Sequence, residues 1–205
     1  MSSGEYSALL SEAGVSRETF DRLKLYQELL LKWQSKINLI GPDTVADVWK
    51  RHFVDSLQLL LRKPDLSGIC VDMGSGAGFP GMVLAIAGAG NMHLIESDGK
   101  KIIFLKEVAR ITKTPVTIHH KRIEECELDH VDVILARACS SLSDLFMLSE
   151  KYVSRETVCY FHKGKNYPKE LLDAKREWLF DYVVIPSVTD TQGAILEVRN
   201  LTTKR

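Results

Sequence analysis

Residues 70–86 read CVDMGSGAGFPGMVLAI: a short apolar run holding an acid at Asp72, glycines at 74, 76, 78 and 81, then a second apolar run. The first run has the length of a buried strand. The second opens at Pro80, which suits the first turn of a helix, where a missing N–H costs little. Between them the glycines permit positive φ and keep side chains away from anything that approaches the backbone closely. A strand that ends in such a loop and continues into a helix N-terminus places a ligand site at the carboxyl edge of an α/β sheet. The rest of the chain must supply that sheet.

Downstream, apolar strand candidates fall at 69–73, 92–95, 116–119, 131–136, 157–161, 182–186 and 194–198. Amphipathic stretches lie between them, notably GKKIIFLKEVARITK (99–113), LSDLFMLSEKYV (142–153) and PKELLDAKREWL (168–179). This alternation predicts a doubly wound, mostly parallel, seven-stranded α/β sheet. Only SVTDTQG joins the last two strands, too short for a parallel crossover, so the final strand is predicted antiparallel. Upstream, Phe20, Leu23, Leu30, Trp33 and Ile37 mark one helix face, with Ser16 as N-cap and Glu18 in the first turn. A second helix is predicted through Val45, Val48, Trp49, Phe53 and Leu57. The linker RKPDLSG then divides an N-terminal helical extension, 1–65, from the sheet domain, 66–205.

The 205 residues suffice for one α/β domain with a small addition, and are too few for a nucleotide domain joined to a full second catalytic domain. Lys+Arg and Asp+Glu both number 27, so a nucleic-acid partner must be met by a local basic patch. Lys50, Arg51, Lys100, Lys101, Lys121, Arg122, Lys163 and Lys165 are the candidates. The N-terminus lacks a signal-peptide pattern and no apolar run spans a bilayer, which predicts a cytoplasmic protein without membrane attachment. Cys70, Cys126, Cys139 and Cys159 form no CxxC pair and read as core thiols, with no metal site expected. Balanced charge and modest size favour a monomer.

Two chemistries compete for the glycine loop. Gly76 to Gly81 matches GxGxxG, a weak dinucleotide signal when taken alone. The wider string Asp72-x-Gly74-x-Gly76-x-Gly78 resembles the first motif of Rossmann-like methyltransferases that use S-adenosylmethionine. A pyrophosphate wants the helix N-terminus free of negative charge. S-adenosylmethionine has no phosphate and carries an ammonium and a sulfonium, so Asp72 favours the methyl donor. Glu96 ends the second strand about twenty residues on, where a carboxylate accepts ribose hydroxyls with either ligand. KRIEE sets Arg122, Ile123 and Glu124 after the third strand, with Ile123 placed to carry an adenine. Arg137, directly after VDVILA, must emerge at the sheet's carboxyl edge.

Together with VDMGSGAGFPG, the pieces KWQSKINL, RHFVDSL, LIESDGKKIIFLKEV, RIEE, ARACSSL and FHKGK closely resemble the RsmG (GidB) family in content and order, over nearly the whole chain. That family comprises bacterial enzymes that methylate guanine N7 in 16S ribosomal RNA of the small subunit. The resemblance implies a Rossmann-like class I methyltransferase fold and S-adenosylmethionine as cofactor. It implies Gly74, Phe79, Ile123, Glu124 and Arg137 as cofactor contacts, to which the loop reading adds Asp72, Gly76, Gly78 and Glu96. Asn38, His52, Arg122, Arg137 and Lys163 match family positions of the active site or RNA surface. The chain departs from the usual pattern at Ile40, Ala136 and His162, and lacks a basic pair near its last strand.

The sequence also shows no Ser/His/Asp or Cys/His constellation, consistent with a target that needs no general base. His52, one turn from Trp49 and Phe53, reads equally as a helix-packing histidine. The main rival is an NAD-dependent oxidoreductase, supported only by the nested GxGxxG; a non-catalytic RNA-binding protein is the third reading and would not need the acid–glycine–acid pattern.

Overall fold

The computed structural model of the chain describes residues 7–62, 64–138 and 140–204. Helices α1 (Ser7–Glu12) and α2 (Arg17–Gln34) come first, and the short helix α3 (Asp55–Leu57) lies in an irregular helical segment that follows. Then β1 (Cys70–Met73), α4 (Gly81–Ile86), β2 (Met92–Glu96), α5 (Gly99–Thr112) and β3 (Thr117–His120) form the first half of the sheet domain. The second half runs β4 (Val133–Arg137), α6 (Leu142–Ser149), β5 (Val158–Lys163), α7 (Tyr167–Glu177), β6 (Trp178–Pro186) and β7 (Ala194–Thr203).

The seven strands lie in the order β3-β2-β1-β4-β5-β7-β6. Strands β1 to β5 pair in parallel, while β7 runs antiparallel to both β5 and β6, as the short final connection requires. All four residues of β1 are buried, Asp72 included, because a central parallel strand is covered on both faces. One face carries α2, α4 and α5, where Leu23, Tyr26 and Leu30 meet Phe53, Met82 and Phe104. The other carries α6 and α7, where Phe146, Leu171 and Trp178 pack on Ile134 and Phe161. Among the described residues, no helix is long and apolar enough to cross a membrane. Cys70, Cys126 and Cys159 are buried free thiols, in keeping with the core reading; Cys139 lies outside the described residues.

The start signals of α2 and α5 operate as the sequence indicates. Ser16 accepts the Thr19 N–H at 3.1 Å, and Asp98 accepts the Lys100 N–H at 2.8 Å. Two expectations fail. The continuous helix drawn through 45–57 is instead a 3-10 helix (Pro42–Asp47), a π-helical turn (Trp49–Val54), α3, and a second 3-10 helix (Gln58–Arg62). His52, Phe53 and Val54 are buried in succession across the π-helical turn. The helix drawn over 168–179 stops at Glu177, and β6 starts four residues before the predicted strand. Leu171, Ala174 and Trp178 continue helical spacing, but Trp178 is already extended, with its ring against Phe146.

Tyr26 ties the N-terminal helices to the glycine loop. Its hydroxyl donates to the Ala77 carbonyl and its ring stacks on Phe79 with centroids 5.4 Å apart. A Cβ at Gly78 would lie 2.6 Å from the Tyr26 hydroxyl and 2.8 Å from the Met82 Cβ, and Gly78 has φ of +95°. Gly78→Ala is therefore expected to destabilise the protein by about 2–4 kcal/mol, combining overpacking with left-handed strain. Urea unfolding measures it; a change under about 0.5 kcal/mol would contradict this packing account.

Candidate active site

The glycine loop closes over Asp72. One carboxyl oxygen, Oδ2, accepts the Gly81 N–H at 3.0 Å, whereas Oδ1 is buried with no partner. Burial pushes the Asp72 carboxyl up to about 7, against the pull of the Gly81 and Ser75 hydrogen bonds and of the Arg137 charge. The loop's outer side belongs to Glu96. Its Oε2 accepts the Gly76 N–H at 2.9 Å, and its Oε1 accepts the N–H groups of Ser97 and Asp98, both at 2.7 Å. Three backbone donors thus fix a carboxylate that retains acceptor capacity for a ligand. A Cβ built at Gly76, φ +57°, meets only the Gly74 carbonyl at 3.9 Å, so space is open there.

A cleft of about 240 Å³ runs from this point, lined by Gly74, Glu96, Arg122, Ile123 and Glu124, among others. The 3-10 turn carrying Ile123 and Glu124 is held from behind: the Tyr152 hydroxyl shares its one proton between the carbonyls of Ile123 and Cys126, and the Lys151 ammonium donates to those of Glu124 and Cys126. The structure therefore groups Gly74, Glu96, Ile123 and Glu124 as expected. Three other residues take positions that the sequence left open. Arg122 lines this cleft and not the second cavity that holds Arg137. Gly78 uses its missing side chain to admit Tyr26, not a ligand. Phe79 is turned inward among Tyr26, Phe53 and His52, where it bears the Arg137 guanidinium, 5.0 Å above its ring.

The second cavity, about 360 Å³, lies beyond Arg137 and is lined by His52, Asp55, His162 and Lys163 together with the β6–β7 loop. Arg137 donates to the Arg51 carbonyl at 2.9 Å, to Asp55 Oδ2 at 3.2 Å and to His52 Nδ1 at 2.8 Å. A guanidinium has only donors, so His52 Nδ1 accepts and its Nε2–H donates to the Thr44 hydroxyl at 2.8 Å, which in turn donates a hydrogen bond to the Gly41 carbonyl at 2.7 Å. Burial, then the Arg137 charge, pushes His52 down to about 3. It stays neutral at physiological pH as an orienting acceptor, and is both a packing and a site residue.

Lys163 reaches the same rim but is not free to meet a phosphate. Its ammonium pairs with Glu170 and donates to the Ser140 carbonyl at 2.8 Å. Asn38 is exposed and outside the lining of both cavities. Sequence reasoning missed Asp55, Thr44, Gln58 and Thr189. Only Asp55 had a visible signal, because it stands three residues after His52 in a helical stretch and so shares its face. His162, noted only as a departure, is buried and donates from Nε2 to the Asp55 carbonyl at 3.1 Å.

A seven-stranded sheet of this order, with an acid–glycine loop at its centre and a carboxylate ending the next strand, defines a class I methyltransferase fold. Solved structures agree on the fold. The fibrillarin/Nop5p complex matches with a TM-score of 0.58 at 13% identity, over 74% of this chain and 82% of that one. A mutant of MtNAS in complex with S-adenosylmethionine also gives 0.58, at 16% identity over 87% and 74%. The family model "GidB: rRNA small subunit methyltransferase G" matches residues 19–201. The ribosomal RNA small subunit methyltransferase G of Paramagnetospirillum magneticum is 47% identical over 197 residues, covering 96% of each chain. That of Rickettsia felis is 43% identical over 188 residues, 92% of this chain and 97% of its own. The chain belongs to the GidB family of S-adenosylmethionine-dependent methyltransferases.

The residues fit that cofactor. An unpartnered buried carboxyl oxygen on Asp72 suits a cationic ligand and opposes a phosphate, Glu96 keeps acceptors open, and Gly76 leaves room. Because Asp72 is raised to about 7 in the folded state, its contribution to stability is complete below its unfolded value and is lost as pH rises through 7. Asp72→Asn is therefore expected to melt higher than wild type at pH 8, with the gap closing towards pH 5. In calorimetry, wild-type affinity for S-adenosylmethionine is expected to rise with pH through 7, while the variant binds weakly without that dependence. Equal pH dependence in both proteins would contradict the role given to Asp72.

Proposed function

We propose that this protein methylates N7 of a guanine in 16S ribosomal RNA of the small subunit. The observation that carries the reading is the chemistry around Arg137 on the wall of the second cavity, where the histidine bonded to it is neutral and already committed as an acceptor. Guanine N7 has an in-plane lone pair at neutral pH, so attack needs alignment and no proton removal. When bound, S-adenosylmethionine supplies an electrophilic methyl group on a sulfonium. Glu96, Gly76 and the Ile123–Glu124 turn would hold it, with Asp72 favouring its positive charge from beneath the loop. Arg137, fixed on three acceptors and Phe79, orients the target nucleotide. Positioning of this kind is worth roughly 7–11 kcal/mol at its best.

In an A-form helix guanine N7 lies in the deep, narrow major groove, so the target is a loop or an extruded nucleotide. We read residues 1–65 as an extension that shapes the entrance, through Arg51, His52 and Asp55, and 66–205 as the cofactor domain. The protein acts as a monomer in the cytoplasm, where its ribosomal substrate is found. An oxidoreductase reading loses support from the buried acid under the loop, and a purely RNA-binding one leaves the cofactor cleft unexplained.

The test is to map methyl transfer. Small subunits from a strain lacking the protein should accept one methyl group from S-adenosylmethionine, at guanine N7 of the 16S RNA. Transfer to another atom, or to no site on the subunit, would overturn the proposal.

A further inference from the structure

Asp55 joins four parts of the fold at the second cavity. Its Oδ2 takes the Arg137 guanidinium from the end of β4. Its Oδ1 accepts the Thr189 hydroxyl at 2.6 Å and the Gln58 amide at 2.9 Å. Its backbone carbonyl accepts His162 of β5. The β6–β7 loop is fastened further by Gln58, whose Oε1 accepts the Val188 N–H at 2.8 Å and whose amide donates to the Ser187 hydroxyl at 3.3 Å. Outside this set, Arg51 pairs with Asp190 across the same seam at 3.5 Å, but that pair is largely exposed and screened.

The charges give this junction a purpose. Methylation at N7 breaks a sulfur–carbon bond and forms a nitrogen–carbon bond; positive charge passes from sulfur to the base, and no proton moves. A bare guanidinium on the wall of the nucleotide cavity would repel the positive charge that arrives on the base, and strongly so away from water. Arg137 and Asp55 are only 15% and 18% exposed, so their pairing is not dissolved by solvent.

We propose that Asp55 is a positioning residue of the active site: one carboxylate oxygen neutralises and aims Arg137 while the other latches the β6–β7 loop over the target nucleotide. This rests on the methyltransferase reading above and goes beyond it by naming the residue that orients Arg137 and compensates its charge. The loop, whose sequence carries no basic pair, is held as a wall of the nucleotide cavity.

The test uses Asp55→Asn, which keeps the shape and frees the Arg137 charge. Single-turnover methyl transfer to the small subunit should fall at least tenfold, with cofactor affinity within about threefold of wild type. Binding of the unmethylated RNA should become steeper in salt by about one counterion, because Arg137 is then available to a phosphate. In Arg137→Gln, the further change Asp55→Asn should leave the salt slope unaltered and add little to the loss of rate. Thr189→Val, which releases the loop and leaves the ion pair, should slow transfer severalfold without changing the salt slope, and serves if Asp55→Asn does not fold. An unchanged salt slope in Asp55→Asn, losses that multiply in the double variant, or full activity in Thr189→Val would overturn the assignment. Salt slopes are read on binding alone, so they judge Asp55 even if the methylated atom proves not to be guanine N7, an outcome that would overturn only the functional reading.

Discussion

A guanidinium withdrawn from water must find acceptors for its N–H groups or pay heavily in free energy, and the arrangement around Arg137 follows from that constraint. Its acceptors come from the 49–57 segment: the Arg51 carbonyl, His52 Nδ1 and Asp55 Oδ2. The first two come from the π-helical turn and the third from the residue that follows it. The guanidinium carbon lies 5.0 Å from the centre of the Phe79 ring, on which Tyr26 also stacks. A single buried cation thus links the N-terminal helices, the glycine loop and the end of β4.

Electrostatics divides the two cavities. Beneath the glycine loop, Asp72 is buried with an open oxygen and is raised to about 7, so it is readily stabilised by a nearby positive charge. Beyond Arg137, each strong charge already has a partner: Arg137 with Asp55, and Lys163 with Glu170. The side meant for a cationic cofactor therefore offers unsatisfied negative character. The side meant for a neutral base offers oriented donors with little net charge, and a histidine that cannot protonate near neutrality.

Much of this was legible in the sequence, for physical reasons. Parallel strands buried on both faces leave apolar runs, and all seven were visible, as was the antiparallel end from the length of SVTDTQG. The cofactor cleft was legible because its residues sit next to strand ends, where position in sequence gives position in space. The second cavity was only half legible. Arg137 and His52 could be singled out, but Asp55, Gln58 and Thr189 meet through contacts between residues more than a hundred positions apart, which no local pattern encodes. The packing at Gly78 and Phe79 was hidden for the opposite reason: a motif names the residues of a loop without saying which face the protein itself will fill, and here Tyr26 fills it. Lys163 was expected to be a free cation because Glu170, seven residues on in the next helix, gives no sign from sequence that it will turn back.

The central claim is that the active site aligns a neutral nucleophile and abstracts no proton. Its most direct test is the pH dependence of single-turnover methyl transfer to unmethylated small subunits, at saturating S-adenosylmethionine and constant ionic strength. The rate is expected to stay flat from pH 6 to 9, because guanine N7 carries its lone pair throughout this range and no group need lose a proton. A rate that climbs tenfold per pH unit through this range, and loses that slope in His52→Gln, would establish a general base and contradict the account.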